Sequence, residues 1–134
     1  MNVVLDTNVL VSGLLTRTGP CATILDLVVD GRLTAVFDNR MMAEYRQVCA
    51  EPRLRLDPAA VQEVLRFLND DADSVTAMPL NLDLPDPDDL PFLEVAAETQ
   101  AVLVTGNKKH FPQTIVTPIQ VASPRELLDI LRLS

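Results

Sequence analysis

The chain has 134 residues, of which 48% are hydrophobic and 22% charged, and this balance excludes an intrinsically disordered protein. It has no apolar stretch of the ~20 residues that a membrane-spanning helix needs, and no basic segment followed by a long apolar core at its N-terminus. We therefore expect one globular domain over residues 1–134, without a signal peptide or membrane contact, in the cytoplasm.

The formal net charge of −8 disfavours a protein that binds nucleic acid through a broad basic surface. Two explanations stay open at this point. Either the acids cluster in one pocket, where divalent cations neutralise them, or the protein binds no nucleic acid or meets a basic partner.

Hydrophobic periodicity predicts strands that alternate with helices. The first half of the chain predicts, in order, a strand at 2–5, a helix at 21–29, a strand at 33–37 and helices at 39–50 and 57–69. The second half predicts a strand at 74–77, a loop at 78–87, a helix at 88–98, a strand at 101–104, short strands at 115–116 and 119–121, and a helix at 123–131. This alternation predicts an α/β fold with a mainly parallel central sheet covered by helices on both faces.

Four polar side chains occupy suggestive places in this predicted order. Asp6 follows the first strand, Glu44 lies on the helix after the second, Asp89 lies in the first turn of its helix, and Asn107 follows the strand at 101–104. Ligands of open parallel sheets bind at the carboxyl ends of the strands, and hard cations take oxygen ligands. If the strands at 2–5 and 101–104 are neighbours, these residues predict a metal site that acts on phosphate esters.

Each of these residues also has a structural interpretation. Asp6 could cap the turn that follows it, and Glu44 could be solvated on the outer face of its helix. Asp86 and Asp88 suit a helix N-terminus on electrostatic grounds, and we favour that role for both. Asn107 could supply a positive φ in a turn. The functional interpretation depends on the prediction that Asp6, Glu44, Asp89 and Asn107 meet at one edge of the sheet.

Four segments, in this order, resemble the signatures of PIN domains. They are residues 6–12 (DTNVLVS), 44–48 with 51–53 (EYRQV and EPR), 86–96 (DPDDLPFLEVA) and 103–112 (LVTGNKKHFP). The similarity is greatest to bacterial PIN-family toxins related to the VapC-like ribonucleases of toxin–antitoxin pairs. It implies a three-layer α/β/α sandwich and RNA cleavage that depends on Mg²⁺ or Mn²⁺.

The resemblance also implies roles for individual residues. Asp6, Glu44 and Asp89 match the acids that hold the metal and carry catalysis. Asn107 stands where the family often has Asp, so the predicted site has one negative charge fewer. This loss weakens the case for a second tightly held metal ion and leaves the case for the first ion unchanged. Asn8 and Thr105 match polar positions that line the site. Lys108 or Lys109 is expected to contact a substrate phosphate.

His110, the only histidine, is predicted to serve packing or turn formation, because Phe111-Pro112 follows it. The partners implied by the resemblance are an RNA substrate and a cognate antitoxin protein, and self-association into a homodimer is open.

Competing functions were weighed against the same residues. A receiver-like signalling domain should carry paired acids after the first strand, and a haloacid-dehalogenase-like phosphatase should carry a second Asp two positions after the first. Here Thr7 and Asn8 follow Asp6, so both fit worse. The remaining alternative is a catalytically inert PIN-fold module that only binds other proteins.

Overall fold

The fold is built on a four-stranded sheet, seen in a computed structural model that describes residues 1–71 and 75–132. The strands are β1 (Asn2–Leu5), β2 (Thr34–Ala35), β3 (Val102–Val104) and β4 (Val121–Ala122). Their order is β2-β1-β3-β4, and every pairing is parallel. The predicted neighbours β1 and β3 are therefore adjacent, and the strand order reverses between them.

Seven α-helices connect these strands in the described part of the chain. They are α1 (Thr7–Leu15), α2 (Pro20–Val29), α3 (Asn39–Cys49), α4 (Pro58–Asp71), α5 (Leu90–Thr99), α6 (Gln113–Val116) and α7 (Pro124–Arg132). Helix α2 contacts α1 and α7, and α3 contacts α1, α4 and α5. This is the α/β/α sandwich that was expected.

The strands are buried because both faces of the sheet are covered. Val3, Val4 and Leu103 have no solvent exposure, and Leu5 is almost as buried. Helices contribute much of the remaining apolar core, including Leu10, Ile24, Met41 and Phe92. None of the described helices combines the length and the apolar character required to span a lipid bilayer.

Several predicted helix boundaries are confirmed by their capping residues. The Asp38 carboxylate accepts a hydrogen bond of 2.9 Å from the backbone N–H of Met41 and so caps α3. Pro20 occupies the first turn of α2, as predicted. Ser123 and Glu126 hydrogen-bond to each other's backbone N–H in a capping box at the start of α7.

The largest error of the sequence prediction is helix α1, for which no element was predicted. The segment Thr7–Leu15 is apolar on nearly every side, so it lacks the polar stripe that marks an amphipathic helix. Gly13 lowers its helix propensity further. The helix forms because its residues Val9, Leu10 and Val11 are buried in the core.

Two predicted strands are also wrong. Ile115-Val116 belongs to the one-turn helix α6, where local backbone hydrogen bonds override the β-branched preference of these residues. Residues 75–77 form no strand, although the N–H of Val75 donates to the carbonyl of Phe37 at 3.0 Å, and residue 74 lies outside the described residues. The predicted strand at 119–121 is β4, displaced to Val121–Ala122.

The contact between α1 and α2 depends on the missing side chain of Gly13. A Cβ at this position would lie 2.5 Å from Cδ1 of Leu25 and 3.0 Å from the carbonyl oxygen of Cys21. We expect Gly13→Val to reduce the free energy of unfolding by about 2 kcal/mol, because overpacking forces the two helices apart. Chemical denaturation measures the change. Leu15→Val, at a half-exposed position of the same helix, is the matched control and should change stability much less; equal effects of the two variants would contradict this account.

Candidate functional site

The site begins where β1 ends. Asp6 is the N-cap of α1, and its Oδ1 accepts a hydrogen bond of 2.9 Å from the backbone N–H of Thr7. The backbone N–H of Asp6 donates to the carbonyl of Val104 at 2.9 Å, which ties it to the end of β3. Asp6 therefore does cap a helix, and the cap uses only one of its two carboxylate oxygens.

The second oxygen of Asp6 is held by polar side chains. Oδ2 accepts a hydrogen bond of 2.7 Å from the hydroxyl of Thr105, which has no solvent exposure, and one of 3.3 Å from the amide of Asn8. The backbone N–H of Asn107 donates to the same Thr105 hydroxyl oxygen at 3.0 Å, and that of Gly106 donates to Oδ1 of Asn8 at 3.0 Å. The turn after β3 thus wraps around Asp6 and fixes its orientation.

Glu44 reaches this cluster from α3. Its Oε2 accepts a hydrogen bond from the hydroxyl of Thr7, the residue next to Asp6. The neighbouring Tyr45 is buried, and its hydroxyl donates to the carbonyl of Leu5 at 2.5 Å, which fastens α3 to the end of β1. Glu44 is consequently half-buried at the sheet edge, and the outer-face alternative is wrong.

Asp89 lies at the start of α5. It ends a short 3₁₀ turn, Pro87–Asp89, that Asp86 caps by accepting a hydrogen bond of 3.0 Å from the N–H of Asp88. The capping role favoured for Asp86 is therefore observed. The Asp89 side chain is 13% exposed, and its Oδ2 is buried without a hydrogen bond from any residue that the structure describes.

Burial disfavours the charged form of both aspartates, and the charge of Asp6 adds to this effect at Asp89. Burial raises the pKa of Asp6, although the hydrogen bonds from Thr105 and Thr7 oppose this effect. Burial and the negative charge of Asp6 raise the pKa of Asp89 from 3.8 to about 6. Two such carboxylates favour a cation between them.

His110 also lies at this site, a position that the sequence interpretation did not assign. It ends the short 3₁₀ helix Lys108–His110, and its Nδ1 lies 2.9 Å from Oδ2 of Asp89, within ion-pair distance for a protonated ring. One ligand atom from each of Asp86, Asp89 and His110 lies within 4.8 Å of the others, so these three could hold a metal ion. The sequence feature that could have placed His110 at the site is its position inside the fourth PIN-like segment, residues 103–112.

The two lysines after Asn107 differ in their surroundings. The Nζ of Lys108 forms an ion pair of 2.9 Å with Oε1 of Glu126, and both side chains are about half exposed. Lys109 is exposed and has no carboxylate partner within residues 1–71 and 75–132. Asn107 has a φ of −136°, so the interpretation of this residue as a positive-φ turn position is wrong.

The structure therefore brings most of the predicted set to one edge of the sheet. Hydrogen bonds connect Asp6, Asn8, Thr105 and Asn107 there, and Glu44 joins them through Thr7. Asp89 contacts His110 instead and is linked to Asp6 only through the charge of that residue. Only the Lys108 amine is engaged elsewhere.

Comparisons with known proteins identify the family by sequence and, separately, a similar fold. A family model described as a PIN domain matches residues 2–109. An uncharacterized protein of Methanocaldococcus jannaschii is 30% identical over 113 residues, which cover 81% of this chain and 72% of that protein. The crystal structure of VapBC2 from Rickettsia felis, bound to a DNA fragment from its promoter, contains a chain that superposes with a TM-score of 0.64 at 16% identity, covering 92% of this chain and 98% of that one. At this identity the superposition shows the fold alone.

Proposed function

Since the chain belongs to the PIN-domain family, we propose that it is a metal-dependent endoribonuclease that hydrolyses RNA phosphodiester bonds. The observation that carries this proposal is the pair Asp6 and Asp89 at the edge where β1 and β3 end. One carboxylate is held by three hydrogen bonds, and the other presents a buried oxygen without one.

The residues present fit a divalent cation. Among the described residues, only the His110 ring lies close to the buried Oδ2 of Asp89, at 2.9 Å. Burial and the charge of Asp6 raise the pKa of this carboxyl, so a cation bound beside it would stabilise its ionised form. Asp6, Glu44 and Asp89 would hold Mg²⁺ or Mn²⁺. When bound, such an ion supplies Lewis-acid activation of water and of the phosphodiester.

The surrounding residues orient these carboxylates. Thr105 and Asn8 fix the Oδ2 of Asp6, and Thr7 fixes the carboxylate of Glu44. Such supporting hydrogen bonds hold metal ligands in place and are typically worth 10- to 100-fold in metal affinity or activity. Asn107 brings no charge, so the site favours one tightly held ion over two.

A positively charged side chain would also contact the scissile phosphate. Lys109 is exposed and close in sequence to the site, whereas Lys108 would first have to leave Glu126. An exposed ion pair contributes about 0 to 1 kcal/mol, so a phosphate can displace Glu126 from Lys108. Both lysines therefore remain proposed phosphate contacts.

The experiment that tests the activity is cleavage of a mixed-sequence RNA by the purified protein with Mg²⁺, with Mn²⁺ and with EDTA. We expect cleavage with either metal and none with EDTA. Absence of cleavage with every metal, in a folded protein, would favour the inert PIN-fold binding module.

We also propose that the protein is the toxin of a toxin–antitoxin pair. The support is the fold, which is shared with a chain of VapBC2 from Rickettsia felis. The acidic site suits an arginine inserted by a cognate antitoxin, because guanidinium groups pair with carboxylates in bidentate fashion. Growth arrest on expression in a bacterial host, absent for a variant without the Asp6 carboxylate, is the expected result. A homodimer would be detected by light scattering of the same protein.

Metal-free protein should lose stability as the pH rises through the pKa of Asp89. The folded state raises this pKa from 3.8 to about 6, so it binds more protons than the unfolded state between these values. Stability is therefore highest at the acidic end of this window and falls towards pH 7, by about 2 kcal/mol from this group. The burial of Asp6 acts in the same direction.

Thermal unfolding between pH 5 and 7 in EDTA measures this dependence. Asp89→Asn should flatten it and stabilise the metal-free protein at pH 7, and Mg²⁺ or Mn²⁺ should stabilise the original chain and not the variant. An identical pH profile for the two proteins would contradict the assignment.

A further inference from the structure

A second concave feature lies away from the candidate site. A groove of about 730 Å³ opens between the C-terminal part of α3 and the first half of α4, with the connecting residues 50–58 along one end. None of the residues placed at the candidate site lines it. We call it the arginine groove, after the three arginines described next.

The rim of the arginine groove is cationic in a protein whose net charge is −8. Arg46 on α3, Arg55 in the connection and Arg66 on α4 are all exposed, and none forms an ion pair with a described carboxylate. The one acid that lines the groove, Glu51, is already paired with Arg53 at 2.6 Å. Three guanidinium groups therefore face the groove without an anionic partner from the described chain.

Arg55 occupies a backbone conformation that arginine rarely adopts. Its φ of 51° and ψ of 36° lie in the left-handed region, where a residue with a Cβ costs about 1 kcal/mol or more relative to glycine. Glycine would serve the turn better. Arg55 caps the short 3₁₀ helix Pro52–Leu54 there and carries its guanidinium at the rim of the groove.

The wall of the groove is largely apolar. It includes Cys49 from α3, Leu56 from the connection, and Val61 and Leu65 from α4. Among the residues that the structure describes, no aromatic side chain lines it. Single-stranded RNA is usually held by aromatic residues on which its bases stack, so this lining suits RNA poorly. It suits a ligand that is apolar on one side and anionic along its edges.

We propose that the arginine groove docks an amphipathic acidic helix of a partner protein. Its leucine-like side chains would cover Val61 and Leu56, as in other complexes in which a helix lies in an apolar groove. Its Asp or Glu side chains would pair with Arg46, Arg55 and Arg66 in the bidentate geometry that guanidinium groups favour. This inference is independent of the proposed ribonuclease activity.

The test is fluorescence anisotropy of a labelled synthetic helical peptide that carries leucines three and four positions apart and glutamates on both flanks. We expect saturable binding by the full chain. Arg46→Glu with Arg66→Glu should weaken it by about tenfold or more, because each charged hydrogen bond contributes about 1.5 kcal/mol or more. Arg55→Gly should also weaken binding, and because it relieves the left-handed strain, unfolding cannot explain the loss.

Two controls separate local from general effects. Arg17→Glu changes the net charge as much as either single reversal, at an exposed position that does not line the groove, and should leave peptide binding unchanged. RNA cleavage by the groove variants should equal that of the original chain. If cleavage fails in every variant while peptide binding persists, the proposed ribonuclease is wrong and the groove inference stands.

Three results would overturn the inference. They are no saturable peptide binding, equal peptide binding by the charge-reversed variants, and arginine-dependent binding of an RNA oligonucleotide in EDTA in place of the peptide.

Discussion

Asp6→Asn is expected to lower RNA cleavage by about 10³-fold in Mg²⁺ or Mn²⁺. The substitution removes the negative charge from the most buried of the three acids and keeps its shape. An asparagine carbonyl can still accept the N–H of Thr7, so the cap of α1 should survive. Charge placed where the transition state needs it is commonly the largest single contribution to catalysis, and its removal typically costs 10²- to 10³-fold or more.

Stability distinguishes this loss from unfolding. Because burial raises the pKa of Asp6, its charged form is unfavourable in the metal-free protein, and Asp6→Asn should not lower the unfolding temperature in EDTA. Asp129→Asn removes the same charge from an exposed position of α7 and should retain full cleavage. Retained cleavage in Asp6→Asn would remove this residue from the mechanism.

The second large effect is expected at Glu94, on α5. This carboxylate is 4% exposed, its Oε1 lies 2.7 Å from Nη1 of Arg40, and its Oε2 accepts the N–H of Leu80 at 2.7 Å. The same guanidinium contacts Asp38, which is also buried, at 2.6 Å. Arg40 thus neutralises two buried acids and joins α3 to α5. Glu94 in turn joins α5 to the backbone of Leu80.

Glu94→Ala should therefore reduce the free energy of unfolding by about 3 kcal/mol, because removal of one member leaves buried polar groups of the network without partners. Glu94→Gln keeps the size and an acceptor for Leu80, and should cost clearly less. Chemical denaturation of the two variants measures both changes.

An exposed ion pair provides the comparison. Arg53→Ala breaks the contact with Glu51, in which the arginine side chain is 76% exposed, and should change stability little. If Glu94→Ala were as mild as Arg53→Ala, the buried network would not be a main source of stability.

The placement of the acids could be predicted because it follows from strand ends. Asp6 and Asn107 each follow an apolar β-branched segment, and parallel strands present their carboxyl ends on one edge. The adjacency of β1 and β3 was a condition of that argument, and the structure satisfies it. Placement on the predicted helices also singled out Glu44 and Asp89 among the 19 acidic residues, and the resemblance of the four ordered segments then assigned both to the metal.

Other features could not be predicted because they depend on residues far apart in the chain. The pairs Thr105–Asp6 and Arg40–Glu94 are separated by 99 and 54 positions. The contact of His110 with Asp89 is of the same kind, and from the sequence a packing or turn role was favoured for His110. Helix α1 was missed because its stability comes from burial on several sides and not from a local pattern.

The sequence by itself determined the alternation of strands and helices, the acids at the strand ends and the family resemblance, since these depend on local periodicity and on ordered motifs. Only the tertiary structure decided which groups donate hydrogen bonds to the Asp6 carboxylate, which residue contacts the buried oxygen of Asp89, and which three arginines share a groove. The physical reason is that burial, pKa shifts and charge pairing arise from atoms brought within a few ångströms of each other by the fold, and the order of residues along the chain does not specify those distances.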